Sequence, residues 1–497
     1  MSGLHTLGRW LDDRARNTPG RTAIVFEGAA ITYGELHARA RAMAAALAER
    51  GVARGDRVAT LTSNSPEHVA LLFACARLGA ALQPLSWRLA PPEVRYQLDD
   101  AGPALLAVAP EHAALAEEAG GPVPRCAFAD LDSPDDPPPV AVEDADPLLL
   151  AYTSGTTGKP KGAVLTHANC FWTNLSLDRA GGIGEEDVVL QVLPQFHSGG
   201  WNVQPLLAWW KGATVVLEPS FDPARALRLI EERRVTATMG VPATYLLMAE
   251  QPGFAAADLS SLRLAVVGGA PMPESLLRAW LERGVAIVQG YGLTEAAPNV
   301  LCLPAEDAVR KLGFAGKPYP YVDVARRDPQ TGVLLEGPAT GELLVRGPNV
   351  FAGYWNDPEA TAAAFADGWL VTGDLAERDE EGYYRIVGRL KELVISGGEN
   401  VHPAEVEDVL HAHPAVAEAA VVGAPDERWG EACVAFVALR EGREAGAEEL
   451  LDWCRARLAR FKVPREVRFC ERLPRSGMGK VAKDELRAAL AREEART

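Results

Sequence analysis

Lysine is scarce in this chain. Of its 50 basic residues only nine are lysines, at positions 159, 161, 211, 311, 317, 391, 462, 480 and 483. Arginine supplies the generic positive charge, so each lysine marks a place where a compact point charge on a flexible stem is worth inspecting. Long apolar runs are also missing. No stretch reaches the roughly 18 residues that a membrane-spanning helix needs. The seven cysteines, at 75, 126, 170, 302, 433, 454 and 470, contain no C-x-x-C pair. Neither a disulfide framework nor a zinc site is therefore expected. The first twenty residues carry charges where a secretory leader would be apolar, so a reduced, cytoplasmic protein is expected. No internal repeat and no low-complexity tract stands out.

What is present is ordinary for a globular protein: 497 residues, 48 % apolar and 24 % charged. Such a length carries a soft prior of about three domains, or one large and one small. The net charge of −17 should repel nucleic acid and anionic membranes. That charge is unevenly spread, with a net of only −2 from Arg389 to the end. Within residues 453–483, ten basic residues stand against two acidic ones, Glu466 and Glu471. This basic patch reads equally well as a solvated face or as a surface that meets an anionic small molecule.

The apolar pattern predicts a strand at 57–61, a helix at 66–78 and a buried strand at 148–153, the last following the Pro- and Asp-rich connection 133–147. Strands at 213–217, 235–239, 264–267 and 285–288 then alternate with helices, including one from Pro223, capped by Asp222, to about Arg234. Such alternation argues parallel sheets covered by helices. After about residue 310, short Gly-separated strands at 341–346, 369–372 and 383–387 suggest a β-rich subdomain. From Arg389 the pattern is that of a compact α+β unit. Its expected parts are strands at 393–396, 417–422, 432–439 and 466–470, and helices at 403–411, 447–458 and 481–492. The fold class is thus α/β, a large N-terminal domain over residues 1–388 and a small α+β domain over 389–497.

Residues 152–162 read YTSGTTGKPKG. Glycines after a buried strand let backbone N–H groups approach a phosphate, hydroxyls add donors, and Lys159 and Lys161 add charge. It is not a Walker A loop, because Thr153 stands where that motif needs Gly and Pro160 where it needs Ser or Thr. A loop, rather than a helix N-terminus, is expected to hold the phosphate.

This segment resembles the phosphate-binding signature of the adenylate-forming superfamily, which contains acyl-CoA synthetases, adenylation domains of peptide synthetases and luciferases. Further segments follow in that family's order. They are QGYGLTE at 289–295, TGDL at 372–375, GRLKE at 388–392, SGGEN at 396–400 and PRSGMGK at 474–480. The resemblance implies that ATP or AMP meets Thr153, Ser154, Gly155, Thr156, Thr157, Gly158 and Lys159. It also implies contacts from Gln289, Gly290, Tyr291, Gly292, Leu293 and Thr294, and ribose contacts from Asp374 and Arg389. Magnesium would fall to Glu295 with Thr153. Lys480 would be the adenylating lysine and Lys391 the hinge of a mobile small domain. Ser396, Gly397 and Gly398 would face the site during thiol transfer.

His197, in LPQFHSGG, is similar to the F-H segment of acyl- and aryl-CoA synthetases, where the histidine lines the active site. Amino-acid adenylation domains usually carry Asp after that Phe, so an α-amino acid substrate is disfavoured. Trp201, Asn202, Gly268, Gly269 and Ala270 are candidates for the acyl pocket. Gln195 stands where many relatives are apolar. The expected function is that of an AMP-forming acyl-CoA synthetase for a fatty or aromatic acid, with ATP and CoA as co-substrates. A stand-alone enzyme that loads a carrier-protein thiol and a non-catalytic binder on the same fold are the alternatives. The joint presence of Glu295, Asp374, Arg389 and Lys480 argues against a mere binder. A homodimer is compatible with the resemblance.

Overall fold

The computed structural model describes residues 3–153, 159–396, 399–426, 430–475 and 481–494. Helix Pro66–Leu78 is buried along nearly its whole length, packed against helix Tyr33–Glu49 and strand Ala81–Leu85. Its ends follow from local chemistry. The Ser65 hydroxyl accepts from the His68 amide, Pro66 opens the first turn, and Gly79 closes the helix at φ +68°.

On one side lies a sheet in the order Gly353–Tyr354, Lys161–Thr166, Pro147–Thr153, Ala81–Leu85, Arg57–Leu61, Leu105–Val108, Arg125–Ala127. It is parallel except where Lys161–Thr166 runs against both its neighbours. The second sheet runs Lys317–Pro318, Asn299–Cys302, Ile287–Gly292, Leu264–Val267, Ala237–Gly240, Val188–Gln191, Thr214–Leu217, Thr22–Phe26, Ala29–Thr32. Its middle strands are parallel, and its outer pairs at both ends are antiparallel. The parallel strands are short apolar runs, as sheets covered on both faces require. Helix Pro223–Glu232 starts as expected, with the Asp222 carboxylate accepting from the Arg225 amide at 2.6 Å.

Three tryptophans pin this core. Trp201, Trp209 and Trp280 are fully buried, and each indole N–H donates to a backbone carbonyl, of Gln195, Ala23 and Tyr245 respectively. The seven cysteines are free thiols.

The β-rich region is an antiparallel sheet of Asp323–Arg327, Ala339–Arg346 and Trp369–Arg378, joined by Phe365–Ala366 and Tyr384–Arg389. Here the third strand is longer than the pattern suggested, because TGDL lies inside it. Leu344 pairs with Val371 and Glu342 with Leu375, so three residues oppose the single Leu343. Gly373 takes φ +72° at this bulge. A bulge re-aims the side chain that follows it, here Asp374.

The C-terminal part has its own sheet, Glu399–Val401, Val394–Ser396, Gly430–Leu439 and Val416–Asp426, with Glu466–Phe469 parallel to Gly430–Leu439. Helices Pro403–His411 and Ala447–Arg455 pack Val406, Leu410, Leu450 and Leu451 on one face, against Ala419 and Val421. Helix Lys483–Glu494 packs Leu486 and Leu490 on the other, against Ala420 and Val422. The strand's two-residue alternation thus feeds two cores. Arg440 reaches Glu250 of the preceding part at 3.6 Å. Among the described residues no helix is long and apolar enough to cross a membrane.

Candidate active site

The candidate residues cluster where the parallel strands of the second sheet end, the place where open α/β sheets bind ligands. Strand Ile287–Gly292 carries QGYG because it continues past the parallel sheet to pair with Asn299–Cys302. A Cβ at Gly292 would collide with the Pro298 carbonyl, so only glycine lets the chain turn into Leu293 and Thr294 there.

Asp374 is the best-defined group. It is 6 % exposed. One of its carboxylate oxygens accepts from the Tyr291 phenol at 2.6 Å, and the other meets Arg389 Nε at 3.1 Å. Arg389 pairs directly across the sheet from Asp374. Burial and the adjacent carboxylate hold the Tyr291 phenol well above its usual range, so it stays a donor. An ionised carboxylate has about four acceptor positions, so Asp374 can also take hydroxyl donors of a ribose.

At the other end of the same segment, Glu295 Oε1 accepts from the Tyr354 phenol at 2.8 Å and faces Thr153 Oγ1 at 3.5 Å. Burial, then Glu295, pushes the Tyr354 phenol up. Thr153 pairs with Lys161 across two antiparallel strands, so the glycine-rich segment links a hairpin and does not precede a helix. Lys161 lies 5.3 Å from the centre of the Tyr354 ring. Lys159 is exposed. Ser154, Gly155, Thr156, Thr157 and Gly158 fall outside the described residues, as do Gly397, Gly398 and Lys480.

His197 is half-buried on the segment between Gln191 and Gly199. The Ser198 and Thr294 hydroxyls meet at 3.2 Å and join that segment to QGYGLTE. Behind it, Asn64 accepts from the Gln195 amide at 2.8 Å and donates to the Leu193 and Glu218 carbonyls. His68 stands edge-on to Trp201, with ring centres 5.0 Å apart. Burial pushes His68 down to about 3, so it packs as a neutral ring. Trp201 and Asn202 are both fully buried. They sit within the wall that carries His197, Asn202 bonding to Asn174 at 3.0 Å. Gly269 and Ala270 are exposed, whereas Gly268 is buried, and a Cβ on Gly268 would come within 2.9 Å of the Met239 methyl.

Lys391 is exposed in the short turn Leu390–Glu392 that follows Arg389. Ser396 is buried on the first strand of the C-terminal sheet. Much of the basic patch is neutralised locally. Lys462 contacts Glu405 at 2.7 Å, Arg465 contacts Asp426 at 3.8 Å, and Arg475 pairs with Glu418. Tyr354, Asn64 and His68 were not visible as site-forming residues in the sequence. They reach the site through long-range pairing and carry no local signature.

Known proteins match this chain over nearly its whole length. Residues 11–355 match the AMP-binding enzyme family, and residues 405–480 match the AMP-binding enzyme C-terminal domain. A feruloyl-CoA synthase from Amycolatopsis is 45 % identical over 97 % of this chain and 98 % of its own. An indoleacetate–CoA ligase from Aromatoleum aromaticum is 43 % identical over 98 % of both chains. The ATP-bound structure of MatB from Rhodopseudomonas palustris superposes with a TM-score of 0.90 at 34 % identity, over 98 % of this chain and 99 % of that one. The chain belongs to the AMP-binding enzyme family, and within the adenylate-forming superfamily it is an AMP-forming acyl-CoA synthetase.

Proposed function

We propose that this enzyme acts on an aromatic or aryl-substituted carboxylic acid in two steps. A carboxylate oxygen of the acid attacks the α-phosphorus of ATP, the bond to the β-phosphate bridge breaks, and pyrophosphate leaves. The thiol of CoA, losing its proton, then attacks the acyl carbon, and AMP departs with the bonding electrons. The observation that carries this reading is Asp374, held between Tyr291 and Arg389 on the same segment system as Glu295 and Thr153. Tyr291, which bonds Asp374, and Glu295, which faces Thr153, lie four residues apart on one segment, which suits a nucleotide with its ribose at Asp374 and its phosphates toward Thr153. His197 would line the acid's path, Lys480 would meet the charge developing at the α-phosphate, and Ser396 would lie near the incoming thiol. The domain boundary near residue 388 and a swing of the small domain about Lys391 are part of the same proposal.

Two points favour an aryl acid. The relatives at 43–45 % identity are named for feruloyl and indoleacetate chemistry. His197 lies beside Phe196, with ring centres 4.6 Å apart, and Phe196 stands edge-on to Trp87, so the segment that would line the acid's path is aromatic. The test is pyrophosphate release across a panel of cinnamates, arylacetates and fatty acids, with CoA and without. Aryl acids are expected to exceed fatty acids at least roughly tenfold in kcat/KM, a difference of about 1.4 kcal/mol. A fatty acid at the head of the panel would overturn the substrate class.

Magnesium fits the residues present. Among the described residues the Glu295 carboxylate is held by hydroxyls, those of Tyr354 and Thr153, and by no ion pair, which suits a carboxylate that meets a cation. No cluster of three His, Cys, Asp or Glu was found among the described residues, which suits an ion held largely by phosphate oxygens and water. When bound, magnesium would be held by Glu295 and Thr153 and would supply charge neutralisation to the triphosphate. Glu295→Gln keeps the acceptor for Tyr354 and removes the charge. Turnover should fall at least roughly tenfold, with part of it recovered in excess magnesium. An unchanged magnesium titration curve would remove Glu295 from the metal site.

A further inference from the structure

Several lysines turn out to hold carboxylates. Lys311 binds Asp379 and Glu381, both at 2.6 Å, and Lys211 binds Asp178 at 3.1 Å. Lys483 differs in where its partners lie. Its ammonium sits 3.1 Å from Glu392 and 2.8 Å from Glu407, and all three side chains are between 16 % and 19 % exposed. Glu392 closes the turn that contains Lys391. Glu407 belongs to helix Pro403–His411 and also accepts the Val421 amide at 2.7 Å, which ties it to strand Val416–Asp426 of the C-terminal sheet. Burial works against the charge on Lys483, but Glu407 and Glu392 outweigh it and hold the ammonium above its usual range.

Helix stability does not account for this lysine. Lys483 is the first residue of helix Lys483–Glu494, where the positive end of the helix dipole opposes a cation. Asp484 and Glu485 in the same turn already supply the favoured sign. What the position does offer is proximity, because Lys483 lies three residues after Lys480, a chain reach of roughly 10 Å at most. The other flank of segment 476–480 is tied to the same strand. Arg475 bridges to Val481, the Ala482 amide donates to the Pro474 carbonyl at 2.8 Å, and Arg475 and the Leu473 amide both meet Glu418.

We propose that Lys483 is a positioning residue whose ammonium, shared between Glu392 beside the hinge and Glu407 on helix Pro403–His411, fixes the base of the segment ending in Lys480 for adenylation. This rests on the reading of Lys480 as the adenylating lysine. A misplacement of about an ångström at a reacting group can cost as much as 10²-fold in rate. Thiol transfer from a preformed adenylate does not use Lys480 and should not need its anchor.

The experiment uses the full chain with Lys483→Met, Lys483→Arg, Glu392→Gln, Lys480→Ala and the Lys480→Ala/Lys483→Met double variant. Acid-dependent pyrophosphate exchange and CoA-thioester formation from supplied acyl-adenylate are measured separately. Lys483→Met should lower adenylation kcat roughly 10–100-fold, with KM for ATP and acid little changed and thioester formation within about twofold. Lys483→Arg should recover most of the loss, and Glu392→Gln should show the same split more weakly. The double variant should be no slower in adenylation than Lys480→Ala alone, because the two residues act as one unit. Equal loss in both half-reactions, or an additive double variant, would reduce the triad to a fold-stabilising network and overturn the proposal. Should Lys483→Met not fold, Glu392→Gln carries the same comparison alone. Normal adenylation in Lys480→Ala would instead overturn the reading of Lys480 itself.

Discussion

Lys480→Ala is expected to abolish acyl-adenylate formation and largely spare CoA transfer from supplied acyl-adenylate. In adenylation, negative charge gathers on the oxygens around the α-phosphorus as pyrophosphate departs. Among the described residues of the proposed nucleotide site, Arg389 is committed to Asp374 at 3.1 Å, and Lys159 and Lys161 belong to the hairpin proposed to hold the outer phosphates. A second cation is therefore needed at the reacting phosphate, and PRSGMGK places a lysine in a chain that otherwise spends arginine. Loss of one such contact at a transition state typically costs about 10²–10³ in rate. The second half-reaction attacks the acyl carbon and breaks the acyl carbon–oxygen bond, so the α-phosphorus is not itself attacked and the transition state that Lys480 would meet does not form. Pyrophosphate exchange and thioester formation, assayed separately, decide the matter. A matched fall in both, or in neither, would remove Lys480 from its role.

Lys391→Pro is expected to retain adenylation and lose thioester formation, whereas Lys391→Ala should be mild in both. Lys391 is exposed in a short turn between the last strand of the antiparallel sheet and the first strand of the C-terminal sheet. Two core clusters built from residues 394 to 490 contain no residue from before this turn. A rotation here would disturb neither core. Proline fixes φ near −65° and removes an amide donor, so it should freeze one orientation. Alanine leaves the backbone free and tests whether the ammonium itself has a chemical role. If Lys391→Pro lost both half-reactions equally with its circular dichroism unchanged, the hinge assignment would fail.

The sequence made the helix-covered strands legible because parallel strands are short apolar runs. Residues 57–61, 66–78, 264–267 and 403–411 were expected as the structure has them. Edges drifted where pairing extends an element beyond its apolar run. Strand Ile287–Gly292 continues through Gly290 and Tyr291 because Asn299–Cys302 pairs with it. Trp369–Arg378 runs past 372 because a bulge, rather than a turn, absorbs Gly373. At the site, motif residues such as Asp374 and Glu295 were visible because their segments are short and distinctive. Their partners were not. Tyr354 lies 59 residues from Glu295, and Asn64 lies 131 from Gln195, so only the folded sheets bring them together.

The pairing of Asp374 with Arg389 also bears on how such an enzyme could be recombined. Arg389 ends its strand and is tied backward to Asp374, while Glu392, three positions on, is tied forward to Lys483. A graft of a foreign small domain thus has a narrow splice window, residues 390 and 391. A junction upstream of Arg389 would place the two halves of the Asp374–Arg389 ion pair on different parents. A junction downstream of Glu392 would do the same to the ion pair that reaches the last helix. Chimeras joined inside the window inherit both pairs whole.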